Sequence, residues 1–164
     1  MPRPVATDAT VIINLCHAQR LDLMSQLGPW EFVVPGEVKK EIKRPEQQAL
    51  LADAIDHNHL RLVPITDLQE ITTLAGLSRF LGKGEAACLT LAQHRGWHLA
   101  SDEKGPFRRE VDQRVGQQRL ITTPGLLVMA IRRGVLTVDD ADAVKQVLAQ
   151  NRFRMKFNSF RDVV

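Results

Sequence analysis

Five short β-rich runs, Arg3–Asp8, Phe32–Val34, Leu60–Val63, His98–Ser101 and Arg119–Ile121, alternate with stretches of helical periodicity. That alternation limits the fold more than any other feature of the chain. Strands interleaved with helices predict an α/β domain, three layers deep, whose central and mainly parallel sheet is covered on both faces. The first strand leads at once into the apolar helix Ala9–His17, with Val11, Ile12, Ile13 and Leu15. Further helices are predicted through Val38 and Ile42, over Gln47–Ile55, along Leu68, Ile71, Leu74 and Leu77, and from Gly84 to a stop at Gly96. Pro106 opens the next, Gly125–Arg133 follows Pro124, and Val138, Ala141, Val144 and Leu148 mark the last.

A chain of 164 residues, 44% hydrophobic and 25% charged, has the means to build a core without disulfides or a structural metal. A single domain over residues 1–164 is expected, with 150–164 as a tail packed on it. Cys16 and Cys88 lie in apolar helical stretches without zinc-type spacing and read as core residues. Met1-Pro2-Arg3-Pro4 has no signal-peptide character and no run reaches the ~18 apolar residues of a membrane span, so no membrane association and a cytoplasmic location are expected. The net charge of +3 mildly favours a polyanionic partner.

In open α/β sheets, ligands collect beyond the carboxyl ends of the strands. Asp8 and Asp102 each follow directly on a predicted strand, Glu85 falls in the first turn of a helix, and Glu41 faces outward from a helix that starts beyond another strand. Two carboxylates 4 Å apart repel by about 4 kcal/mol at an effective dielectric near 20. A hard divalent cation with oxygen ligands offsets that cost, and the same ion can activate water against a phosphodiester. Taken singly, each acid is as well explained by the preference of Asp and Glu for helix N-termini.

Taken together, the segments resemble PIN-domain proteins of the VapC toxin type. A-T-D-A-T-V-I-I-N-L at Asp8, V-V-P-G-E-V-K-K-E-I at Glu41, L-G-K-G-E-A-A-C-L-T-L-A at Glu85 and L-A-S-D at Asp102 match in order and spacing. T-T-P-G-L-L-V-M-A-I-R-R-G is similar to a further family helix and places Thr123 beside the site. The resemblance implies a PIN-like fold and a Mg²⁺- or Mn²⁺-dependent endoribonuclease leaving 5′-phosphate and 3′-hydroxyl ends. It also implies a toxin restrained by a cognate antitoxin, and a homodimer. Asp8, Glu41, Glu85 and Asp102 would be its catalytic and metal-holding acids. Glu41 is carried over because the family's acid falls three residues after the valine matched by Val38, with Glu37, on the same helical face, as its substitute. The segment after Asp102 is longer than in the family, and Glu103 or Asp112 would supply the family's additional acid.

Lys39, Lys83 and Lys104, with Lys40, Arg108 and Arg109, lie close in sequence to these acids and suit a rim that meets RNA phosphates. Arg152-Phe153-Arg154-Met155-Lys156-Phe157 alternates like an edge strand and is expected to fold back onto the core, the alternative being a tail that binds a partner or stacks on bases. The five histidines show no acid/base pairing of the kind a metal-free ribonuclease needs. Gly82-Lys83-Gly84 lacks the rest of a phosphate loop. A phosphotransfer domain or phosphatase would want a second acid where Thr10 stands. A PIN-like module that binds RNA or protein without cutting is the other alternative.

Overall fold

The computed structural model describes residues 1–164. Its centre is β1 (Arg3–Thr7), with β2 (Trp30–Pro35) and β3 (Arg61–Val63) on one side and β4 (His98–Ala100) and β5 (Leu120–Ile121) on the other. Every neighbouring pair is parallel, giving the order β3-β2-β1-β4-β5. Val5, Ala6 and Thr7 are fully buried although adjacent residues of a strand face opposite sides. That is the burial expected of a central parallel strand with helices over both faces, and the fold is a three-layer α/β/α sandwich.

The helices are α1 (Ala9–His17), α2 (Gly36–Glu41), α3 (Pro45–Asp56), α4 (Leu68–Leu77), α5 (Lys83–Arg95), α6 (Pro106–Arg114), α7 (Thr123–Arg132) and α8 (Val138–Gln150). Most boundaries lie within two residues of those predicted, and a short 3₁₀ turn at Leu21–Ser25 is added. In α5, Ala86, Ala87, Cys88, Leu89, Thr90, Leu91 and Ala92 are all buried, because α2, α4, α6 and the sheet surround it. Gly96 ends that helix in the left-handed conformation, φ 68°, which glycine adopts without steric cost.

The tail departs from the edge-strand expectation. It joins neither edge of the sheet: Arg152, at φ 69°, reverses the chain just after α8, and Ser159 Oγ and the Phe160 N–H donate to Asp142 of that same helix. Phe160 is fully buried, with Phe153, Met155 and Phe157 packed on the core. The period-two pattern was met by one side packing on protein, without strand pairing.

No helix is long and apolar enough to cross a membrane.

Candidate active site

Because the chain goes from β1 to β2 and β3 before crossing to β4 and β5, the connections diverge between β1 and β4. That switch point, beyond the strands' carboxyl ends, is where open α/β sheets place their ligands. Asp8 is the first residue past β1, Asp102 stands two residues past β4, and Thr123 begins α7 just beyond β5. The Asp8 N–H donates to Ala100 O at 2.9 Å, fastening the two central strand ends together.

Neutral donors orient both aspartates. Ser101 Oγ at 2.9 Å and Thr10 Oγ1 at 3.1 Å donate to Asp8 Oδ2. The same hydroxyls accept the backbone N–H groups of Glu103 and Asp102, so the loop after β4 is locked to the Asp8 carboxylate. Asp102 is held more fully: the Thr123 N–H reaches Oδ1 at 2.8 Å, while Asn14 Nδ2 at 3.0 Å and the Thr123 hydroxyl both meet Oδ2.

Glu41 and Glu85 approach from the other wall. The Gly84 N–H donates to Glu41 Oε1 at 2.8 Å, so the exposed last residue of α2 is turned onto the first turn of α5. A Cβ on Gly84 would stand 2.6 Å from Glu41 Oε2, and one on Gly82 would stand 3.3 Å from Glu85 Oε1 and 3.8 Å from Glu41 Oε1. Both glycines thus leave room for two carboxylates to face one spot.

The charges are uncompensated. The five ion pairs, Arg20–Asp22, His57–Asp53, Arg61–Glu31, Arg95–Glu70 and Arg114–Glu110, all lie elsewhere. Burial, then the charges of Glu103, Asp8 and Glu41, push the Glu85 carboxyl up to about 7. Asp8, 2% exposed, is also raised, first by burial and with Glu103 adding to the effect against its hydroxyl donors. Glu103 therefore stands with the cluster, whereas Asp112 is exposed on α6 and is not among the charges that chiefly raise Glu85. Glu37 lies near the buried Cys88 beneath the site, with Oε1 buried and lacking a hydrogen-bond partner. Lys39, Lys83 and Lys104 are exposed and pair with no acid.

Oxygen-only donors and excess negative charge match what a hard divalent ion takes. As they stand, no three His, Cys, Asp or Glu side chains are gathered closely enough to hold a metal ion, which is how mutually repelling carboxylates arrange themselves. Thr10, Asn14 and Ser101 were not picked out from the sequence. Asn14 left a readable trace, as a polar residue on a helix otherwise apolar through its middle; the two hydroxyls left none.

A family model described as a PIN domain matches residues 4–164. No curated protein and no solved structure matches the chain.

Proposed function

The chain belongs to the PIN-domain family, whose members are generally nucleases, and on that premise we propose that it is a Mg²⁺- or Mn²⁺-dependent endoribonuclease. The observation carrying this reading is the approach of Asp8, Glu41 and Glu103 to Glu85 with no ion pair among them: burial first, and then their charges, push the Glu85 carboxyl up to about 7. Asp8, Glu41, Glu85 and Asp102 would hold the ion. When bound, it supplies charge stabilisation for the phosphoryl oxygens and a water of lowered pKa.

The protein's own groups divide the remaining work. Ser101 and Thr10 fix the rotamer of Asp8 from Oδ2, leaving Oδ1 without a side-chain donor. Thr123, which the sequence put among the substrate-binding residues, is fully buried with both its donors on Asp102, which supports a role in positioning that acid. A Glu85 carboxyl near 7 can take or release a proton at neutral pH, the range where acid/base exchange is most effective. Lys39, Lys83 and Lys104 are available to phosphates flanking the scissile bond.

By the family resemblance the reading extends to a toxin with a cognate antitoxin, and to a homodimer. Incubating the protein with labelled RNA in Mn²⁺ tests its core. Cleavage blocked by EDTA, with 5′-phosphate ends, is expected; cleavage that survives EDTA, or products with cyclic phosphates, would overturn it. The open spacing of the acids favours one second reading, a PIN-like module that only binds RNA. Tight RNA binding without cleavage in Mn²⁺ would decide for it.

A further inference from the structure

By its place in the sequence Arg108 belongs with the basic residues suited to meet phosphates, yet its guanidinium is turned onto the protein. Arg108 Nη2 donates to the backbone oxygen of Glu103 at 3.0 Å. On the other side of the same residue, the Glu103 N–H donates to Ser101 Oγ at 3.1 Å. Glu103 is thus gripped at both of its peptide groups, while its carboxylate is in none of the ion pairs.

Both grips are anchored in the core. Ser101 is fully buried, donates its N–H to Ile121 O at 3.0 Å and commits its hydroxyl proton to Asp8 Oδ2 at 2.9 Å. Arg108 stands on α6 between Phe107 and Val111, which are both buried, and Gln117 Nε2 donates to its backbone oxygen at 3.1 Å. Between the two anchors the chain turns at Gly105, whose φ of 63° and ψ of −135° suit glycine and strain a residue with a side chain. Pro106 then opens α6 at once. The short loop that carries Glu103 is therefore fixed at each end and at its turn.

Two details separate Arg108 from a surface arginine folded down by chance. Its Nε is buried without a hydrogen-bond partner, which costs stability that a solvent-facing rotamer would keep. It also takes a carbonyl with several carboxylates close by, although an ion pair with one of them would be the stronger contact. Such a pair would neutralise an acid. Holding the backbone instead leaves the Glu103 charge free to act on Glu85 and Asp8, as it does.

We propose that Arg108 is a positioning residue: together with Ser101 it clamps the Glu103 backbone so that this carboxylate faces Glu85 and Asp8 as a fifth acid, and it thereby tightens the site's hold on a divalent cation. The role given to the cation rests on the nuclease reading. Groups that orient a metal's ligands typically change affinity by about ten- to a hundredfold when they are removed.

Mn²⁺ alone is the probe, titrated into the metal-free chain while the free ion is read by its electron paramagnetic resonance signal. Arg108→Met keeps an apolar stem and removes the donors, and it should weaken Mn²⁺ binding about tenfold. Arg108→Lys, which keeps the charge and one donor nitrogen, should recover most of that loss. Glu103→Gln should also cost about tenfold, since affinity follows the charge of the ligand set. The double variant Arg108→Met, Glu103→Gln should bind no more weakly than Glu103→Gln, because the arginine acts only through that acid. A purely structural role would lower the melting temperature of Arg108→Met and leave its Mn²⁺ affinity at the parent value. That result, or losses that multiply in the double variant, would overturn the proposal. If Arg108→Met does not fold, the shorter Arg108→Gln takes its place with the same expectations. RNA cleavage is read separately: a parent that binds Mn²⁺ and cuts no RNA refutes the nuclease reading while the titrations still decide on Arg108, and a parent that binds no Mn²⁺ overturns both.

Discussion

The two ends of the sheet differ in how they treat charge. At the carboxyl ends of the strands, Asp8, Glu41, Glu85 and Glu103 act on one another with neutral hydroxyls and amides around them and no ion pair, the Arg108 guanidinium donating to the backbone oxygen of Glu103 and not to a carboxylate. At the amino ends, charge is paired or stacked: Arg61 meets Glu31 at 2.6 Å, Arg3 lies over the Trp30 ring at 5.5 Å, and Trp30 packs edge-on to His98 at 4.6 Å. That end also holds a cavity of about 630 Å³, lined by Met24, Trp30, Phe32, Ile55 and His59 among others. Pocket size would point to the amino end, and unbalanced charge points to the carboxyl end. Folding alone gives no reason to keep repelling carboxylates together, so the second signal is the better guide to chemistry.

The sharpest way to break this contrast is Asp8→Asn. RNA cleavage in Mn²⁺ should fall by about a hundred- to a thousandfold, and the metal-free melting temperature should hold or rise, because a buried and disfavoured charge has gone. His59→Ala in the cavity should leave cleavage within about twofold; if the two variants exchange effects, the functional end has been misassigned. Thr123→Val comes next. It removes a hydroxyl donor from Asp102, and denaturant titration should show a loss of about 2 kcal/mol, the usual worth of a hydrogen bond to a charged group.

Gly84→Ala separates site from fold. The new Cβ would collide with Glu41 Oε2, the movable end of a side chain, while alanine favours the helix by up to about 1 kcal/mol. Activity should drop roughly tenfold with no fall in melting temperature; equal activity would remove Glu41 from the site.

A smaller effect is pH-dependent. The Glu85 carboxyl is raised from its ordinary 4.5 to about 7, so the folded state keeps a proton that the unfolded chain has released. The Glu85 contribution to metal-free stability should therefore be fully present below pH 4.5 and be lost as pH rises through 7. Glu85→Gln should remove that decline, and saturating Mn²⁺ should flatten it, as thermal melts across this range would reveal. Smallest of all is Glu31→Gln at the amino end. Loss of a solvent-exposed pair should cost less than about 1 kcal/mol and leave cleavage unaltered; a large loss would mean that the paired end is also under functional constraint.

Much of the fold was legible locally. Gly96, Pro106 and Pro124 mark helix ends through backbone chemistry that needs no tertiary partner, and the apolar stretches of β1 and α1 announce burial. The four proposed acids were nominated because two follow strands and two belong to helix-end patterns that fit a family resemblance. Thr10 and Ser101 were invisible, since a hydroxyl beside an aspartate is common in any loop and acquires a role only when two strand ends meet. The tail was half read: its alternating pattern predicted one buried side, but sheet pairing and packing on a helix bury alternate residues equally well.

By itself the sequence determined which residues are strand, helix or cap, and which faces are apolar, because propensity and periodicity act over a few neighbouring residues. Only the tertiary structure decided that β1 lies next to β4, and hence that Asp8 and Asp102 come together through Thr10, that Glu103 joins them and Asp112 does not, and that the tail packs back along α8. Strand order depends on long-range burial summed over the whole sheet, and a charge is shifted by whatever lies near it in space, however distant that neighbour is along the chain.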